Sequence, residues 1–234
     1  MPTALLDLVL PARCAGCGAA DALVCPRCAA LLHGEPERRT PDPSPPGLPE
    51  CWSAADYSGA VRRALLAYKE HGRTALAAPL AGALALAVAA GAGGRPVVLV
   101  PVPSARSAGR RRGHDPVNRL ATLAAAYLRS AGWPATVERL LLQRRRVADQ
   151  AGLSSSQRAA NLSGAFRVAA GRNGPVPGFW GGPGAVVLVD DIVTTGATLA
   201  EAARALGAAG ITARLAATVA ATRRWERPRD RHRG

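Results

Sequence analysis

The chain has 234 residues, 48% hydrophobic and 4% aromatic, with a formal charge of +14 from 30 basic and 16 acidic residues. That length holds one full α/β domain plus something small, with a core built mainly of Ala, Leu and Val. Such a positive field favours polyanions, although an arginine-rich composition with a single lysine inflates it. No stretch supplies the roughly 18–20 apolar residues of a bilayer span; the longest candidate, 75–92, carries Pro79 and glycines and reads as a buried helix. Asp7, with no basic region ahead of the first apolar residues, argues against a signal peptide. A cytoplasmic protein with reduced cysteines is the expectation.

In chain order, the first signal is Cys14-x2-Cys17 followed by Cys25-x2-Cys28. Two such pairs in a reducing compartment form a zinc-ribbon or rubredoxin-type ligand set, each knuckle delivering two thiolates to one tetrahedral ion. Gly16, Gly18 and Pro26 suit tight knuckle turns. Zn2+ is favoured, because iron at the same spacing implies electron transfer, for which nothing else in the chain speaks. Four thiolates leave no open position, so the metal is expected to be structural, substituting for the core that a segment of about 30 residues lacks. Disulfides are the competing reading, disfavoured by the compartment. Cys51, alone beside Trp52, reads as a buried thiol.

Residues 34–50 hold six prolines and several charges, the composition of a semi-rigid linker. The expected organisation is a zinc-ribbon-like four-cysteine subdomain over 1–33, a linker over 34–52, an α/β domain over 53–222 and a basic tail over 223–234. Within the domain, 54–57 reads as a short strand, 61–68 as a helix ended by Lys69-Glu70-His71-Gly72, and 75–90 as another helix. Residues 96–100 read as a buried strand leading to Ser104, Arg106, Arg110, Arg111, Arg112 and Gly113, a loop suited to bidentate contact with phosphate oxygens. A solvated basic loop is the alternative. Arg139 and Arg144-Arg145-Arg146 follow, and the Gly/Pro-rich 171–184 reads as a loop or loose hairpin between two strands, in which Trp180 is a packing anchor or a base-stacking platform.

The most informative stretch comes late. Val186-Val187-Leu188-Val189 reads as a buried parallel strand, with Asp190 and Asp191 at its carboxyl end. Thr194-Thr195-Gly196-Ala197-Thr198 then leads into a helix closed by Gly210. Backbone N–H groups at a helix N-terminus attract an anion, and open α/β sheets bind ligands at the carboxyl ends of their strands. Two carboxylates facing that crevice beside an anion cradle fit a ribose phosphate. A Walker A loop needs Gly-Lys-Ser/Thr and a dinucleotide fingerprint needs three spaced glycines; neither is present. An aspartyl-phosphate nucleophile or a plain strand-turn-helix explains the pattern less completely.

The Asp-Asp…Thr-Gly-x-Thr stretch resembles the PRPP signature of the type I phosphoribosyltransferases. The resemblance implies that Asp190 and Asp191 bind the ribose hydroxyls of PRPP, that Val193, Thr194, Thr195, Gly196, Ala197 and Thr198 surround its 5′-phosphate, and that the arginine loop holds its pyrophosphate. It implies an open parallel sheet flanked by helices. Across nearly the whole chain, the order of pieces resembles the ComF family of competence-related proteins. It runs from the cysteine knuckles through Tyr57-Ser58-Gly59, Lys69-Glu70-His71-Gly72-Arg73, Val100-Pro101-Val102-Pro103 and Arg110-Arg111-Arg112-Gly113, then Gln150-Ala151-Gly152-Leu153-Ser154, Arg158, Asn161-Leu162 and Gly164-Ala165-Phe166, and finishes at Asp190-Asp191. It departs at His114-Asp115-Pro116, where relatives continue Phe-Asn-Gln, so contacts made there by the family's Asn and Gln are not carried over.

Three functions follow. An enzyme would transfer phosphoribose from PRPP with Mg2+, arginines and metal stabilising the departing pyrophosphate. A binding module would sense PRPP or a nucleotide while holding single-stranded DNA during uptake, alongside a helicase-like partner and recombination mediators. A scaffold with a vestigial pocket has no reason to keep two exposed carboxylates.

Overall fold

A computed structural model describes residues 13–103, 115–144, 162–169 and 184–222. The arginine loop from Ser104 to Arg112, the stretch from Arg145 to Asn161, the loop containing Trp180, and the basic tail lie outside the described residues.

The element order is α1 (Pro26–Leu32), β1 (Glu37–Arg38), β2 (Glu50–Asp56), α2 (Gly59–Lys69), α3 (Ala77–Ala92), β3 (Val97–Pro101), α4 (Pro116–Ser130), β4 (Ala135–Val137), β5 (Leu141–Gln143), β6 (Phe166–Val168), β7 (Ala185–Val193), α5 (Ala197–Gly207) and β8 (Leu215–Ala221). Six strands form one sheet in the order β1-β2-β8-β7-β3-β4, parallel except where β1 runs against β2. β5 and β6 form a separate antiparallel ribbon. The expected open, mostly parallel sheet flanked by helices is present, with the cysteine cluster at the N-terminal end of the described chain.

Val97 and Leu99 of β3 face one core, which α2, α3 and α4 cover; Val98 and Val100 face a second, which α5 and the ribbon cover. Burial on both faces accounts for the unbroken apolar runs of β3 and β7. Thr74–Ala92, a 3-10 turn plus α3, has the length and apolar composition to cross a membrane, contrary to the expectation that no stretch does. Leu80, Leu84 and Val88 are instead buried in the first core, as the buried-helix reading requires.

The alternation of side chains slips by one on three neighbouring strands. On β7, Val187 and Val189 face the first core and Leu188 the second; past the acidic pair, Ile192 faces the first and Val193 the second. β8 slips at Val219-Ala220 and β2 at Ala54-Ala55, on the same rung, which the pairing register skips on both sides. An irregularity of this kind redirects side chains next to functional sites. The last regular rung joins Asp190, Thr218 and Ser53. There the buried hydroxyls of Ser53 and Thr218 share a hydrogen bond of 2.6 Å, and Thr218 Oγ1 donates across the step to the Ala220 carbonyl at 3.1 Å.

Several boundaries move. The strand expected at 54–57 starts at Glu50, inside the proline-rich segment. Helix α5 ends at Gly207 with Ala208 as its C-cap, so Gly210 is not the cap; it takes φ +76° in the turn that follows. Helix α4 and strands β4, β5 and β8 are not among the expected elements. Asp115 gives α4 its N-cap, accepting from the amides of Val117 at 3.1 Å and Asn118 at 3.2 Å, with Pro116 in the first turn. The departure from the ComF pattern at Asp115-Pro116 thus starts a helix.

Replacing Thr218 by Val is expected to cost about 1–3 kcal/mol, because it strands the Ser53 hydroxyl in the core. Adding Ser53→Ala should recover part of that loss, read from urea midpoints.

Candidate functional site: an acidic pair under a lysine, and a four-cysteine knuckle

β7 carries Asp190 and Asp191 beyond the edge of its apolar run, and the chain turns at 194–196 into α5. Asp191 is only 4% exposed, not open to the crevice as expected. Its Oδ2 lies 2.6 Å from Nζ of Lys69, the last residue of α2. Burying a carboxylate here is tolerable only beside a counter-charge. Lys69 is the only lysine of the chain, in a sequence that otherwise uses arginine for positive charge. That singularity is the signal by which a sequence reading could have found it. Burial alone would lower the Lys69 ammonium, but the charges of Asp191 and Asp190 hold it above its ordinary value.

Asp190 is half-buried, and its own Oδ1 accepts from the Asp191 amide at 2.8 Å. Burial, then the Asp191 charge, push its carboxyl well above the usual carboxylate range, with Lys69 opposing. The two carboxyls therefore differ: one is held by an ammonium, the other is poised toward its neutral form. Tyr68, next to Lys69, is fully buried and donates to the Pro116 carbonyl at 2.8 Å. Burial is the main force pushing its hydroxyl up to about 12, with Asp191 and Asp115 adding and Arg119 opposing. Helix α2 thus reaches both the acidic pair and the start of α4.

Of the six residues expected around a phosphate, Val193 and Ala197 have buried side chains, leaving only their backbones to face a ligand. Thr194 is exposed, while Thr195 and Thr198 are half-buried. Gly196, at φ +75°, is the helix N-cap, and an added Cβ there would lie 2.6 Å from Leu48 Cδ2 and 3.4 Å from Pro41 Cγ. Both contacts come from the proline-rich segment, which packs over the loop that it was expected only to precede. Arg39 of the same segment pairs with Asp56 and, at 3.1 Å, with Glu37. A cleft of about 240 Å³ opens between Arg39, Thr40 and Asp42 on one side and Val193, Thr194 and Thr222 on the other.

The knuckle cysteines pack against the start of α2, where Cys14 and Cys28 share a buried cluster with Ala60. All four sulfurs fall within 4.8 Å of one another, and Cys17 and Cys25 are 3.6 Å apart. A tetrahedral zinc with bonds of about 2.3 Å requires sulfurs about 3.8 Å apart, so the donor set fits the ion. None of these thiols is in a disulfide. Burial raises the Cys14 thiol, but amides of Cys25, Cys17 and Gly16 bring it down to about 6. Burial and the surrounding thiols push Cys28 up to about 12. Such a crowd of sulfurs shares its negative charge comfortably only around a cation. Cys51 is a buried thiol away from this cluster, raised to about 12 by burial and then by Glu50.

Residues 184–233, which begin just ahead of β7 and continue beyond β8, match the family model of the phosphoribosyl transferase domain. No curated protein matches the chain. The match supports a domain of the type I phosphoribosyltransferase superfamily over the stretch that holds β7, the turn, α5 and β8.

Protein purified without a tag is expected to hold about one zinc per chain by metal analysis, lost in Cys14→Ser. Asp190→Asn should stabilise the fold at pH 7. A carboxyl raised in the folded state binds more protons there than in the unfolded chain, so its unfavourable contribution grows as pH rises above its ordinary range. The gain should vanish by about pH 3, below the unfolded carboxyl's value of about 3.9, where both states are protonated, as urea titrations at the two pH values will show.

Proposed function

We propose that this chain binds PRPP, with the ribose hydroxyls on Asp190 and Asp191 and the 5′-phosphate on the backbone and threonines of 193–198. One observation carries the reading: adjacent carboxyls of unlike character at the end of a central strand, one residue pair ahead of a Thr-Gly turn into a helix. The turn favours an anion and the carboxyls accept hydroxyl hydrogens. Mg2+ would arrive on the ligand's phosphates, the ordinary mode for this ion, since Asp191 is already engaged by Lys69. The arginines at 106 and 110–112, with Ser104, are the proposed pyrophosphate contacts.

The chemistry proposed is transfer of phosphoribose with departure of pyrophosphate. It needs no protein nucleophile: the carboxyls orient the sugar and the arginines neutralise the leaving group. A ComF-like role in competence-related DNA uptake or in nucleotide metabolism is the biological setting that the resemblance supports. The charge of +14 favours a second reading, in which the pocket senses PRPP or a nucleotide and the protein holds single-stranded DNA through its arginines and the tail at 223–234.

Titration calorimetry with PRPP and Mg2+ is expected to show binding that Asp190→Asn with Asp191→Asn abolishes; no binding by the wild type, or unchanged affinity in the double variant, overturns the site. Because the double variant also strips Lys69 of its counter-charge, its stability should fall by roughly 1–3 kcal/mol, which circular dichroism will separate from loss of the ligand contact. Pyrophosphate release with bases or amines present marks the enzyme. Binding without release, together with single-stranded DNA affinity that falls steeply with salt, marks the sensor.

A further inference from the structure

The cysteine knuckle and the acidic pair lie against the same helix. Gly16, between the first two cysteines, packs on the start of α2: a Cβ there would come within 3.0 Å of the Ala60 Cβ and 2.7 Å of Cys28 Sγ. Cys14, Cys28 and Ala60 share one small buried cluster. One turn on, Arg63 Nε donates to the Gly16 carbonyl. Past the other end of α2, Arg73 donates to the Arg13 carbonyl at 2.8 Å. The knuckle therefore holds α2 ahead of Lys69 and the chain just past the helix, and between these two contacts the Lys69 ammonium sits on Asp191. Arg63 and Lys69 are about 9 Å apart along the axis, a span over which a packed helix moves as a rigid rod.

We propose that the metal-loaded knuckle clamps α2 in the position that keeps Lys69 on Asp191, so that the metal site sets the geometry of the acidic pair. Lys69 is the positioning residue in this device. Without the ion, the four sulfurs lose the charge that gathers them, and the grip on Ala60, Arg63 and Arg73 loosens. A close ion pair is sensitive to small displacements, so the acidic pair would register the change. The consequence for ligand affinity rests on the PRPP reading of the site; the coupling itself does not.

The single lysine makes the test selective. Full-length protein is acetylated with an amine-specific reagent in three states: zinc-loaded, chelator-stripped and zinc-restored. The Lys69 peptide is quantified by mass spectrometry, with the N-terminal amine as internal reference. Lys69 is expected to react several-fold faster after stripping and to be protected again by zinc, with Asp191→Asn setting the rate in the absence of that carboxylate. Val61, Leu65 and Tyr68 also anchor α2 in the main core. Equal rates with and without metal would mean that the core alone holds the helix, and would overturn the proposal. Should stripping unfold the chain, Arg63→Met decides: with zinc still bound and circular dichroism unchanged, Lys69 must label faster than in the wild type, and an unchanged rate overturns the proposal. PRPP titration of the same samples separates the two readings. If the coupling holds and PRPP serves as ligand, affinity falls about tenfold on stripping, and Lys69→Arg keeps more of it than Lys69→Met. Labelling that responds to metal in a protein that binds no PRPP leaves the coupling standing and removes the function; PRPP binding with metal-independent labelling does the reverse.

Discussion

A carboxylate buried at the end of a central strand is the constraint around which this molecule is arranged. Asp191 is almost wholly removed from water, and the ammonium of Lys69 makes that tolerable. The requirement fixes where α2 must end and therefore how α2 lies on the sheet, with Val61, Leu65 and Tyr68 driven into the core beneath it. It also divides the labour of the acidic pair. Asp191 is neutralised by a neighbour, while Asp190, beside it and half-buried, is held toward its protonated form. Two adjacent carboxyls in a regular strand would leave on opposite faces. The step shared by β2, β7 and β8 breaks that alternation at this rung, and on the rung just before it the buried hydroxyls of Ser53 and Thr218 satisfy each other.

The N-terminal segment is built into the domain. Helix α1 buries Leu32 in the main core, and His33 bonds through Nε2 to the Pro79 carbonyl at 2.8 Å. β1 adds the antiparallel edge of the sheet, and the Thr40 hydroxyl accepts from the Cys51 amide at 3.0 Å. Pro41 and Leu48 then cover Gly196. Prolines make this stretch stiff, and here the stiffness serves a fixed path over the turn at 194–196 in place of a spacer. A knuckle too small to form its own core gains stability by packing on α2, and in doing so it restrains the helix that carries Lys69.

Where apolar runs were long, the sequence reading and the structure agree closely. The 75–90 and 96–100 segments become α3 and β3 within two residues, and the Val186–Val189 run lies inside β7. The shorter strands left little trace. β4, β5 and β6 have three residues each, too few to show a period, and β8 is an alanine-rich run whose burial comes only from the layers on either side. Helix α4 is amphipathic and capped by Asp115, yet its start follows directly on the arginine loop, whose charge dominates a reading of that stretch.

The sequence by itself determined the chemistry available: four thiols at knuckle spacing, an Asp-Asp pair between a strand and a Thr-Gly turn, and one lysine among many arginines. These are local patterns, written within ten or fifteen residues, and local patterns survive in a linear reading. Tertiary structure alone decided which groups meet. Lys69 and Asp191 are 122 positions apart, and Arg63 and Gly16 are 47. Nothing in either neighbourhood specifies its partner. The pairings arise because α2 must bury its apolar face on the sheet, and that burial, non-directional and proportional to area, carries its polar ends wherever the packing puts them.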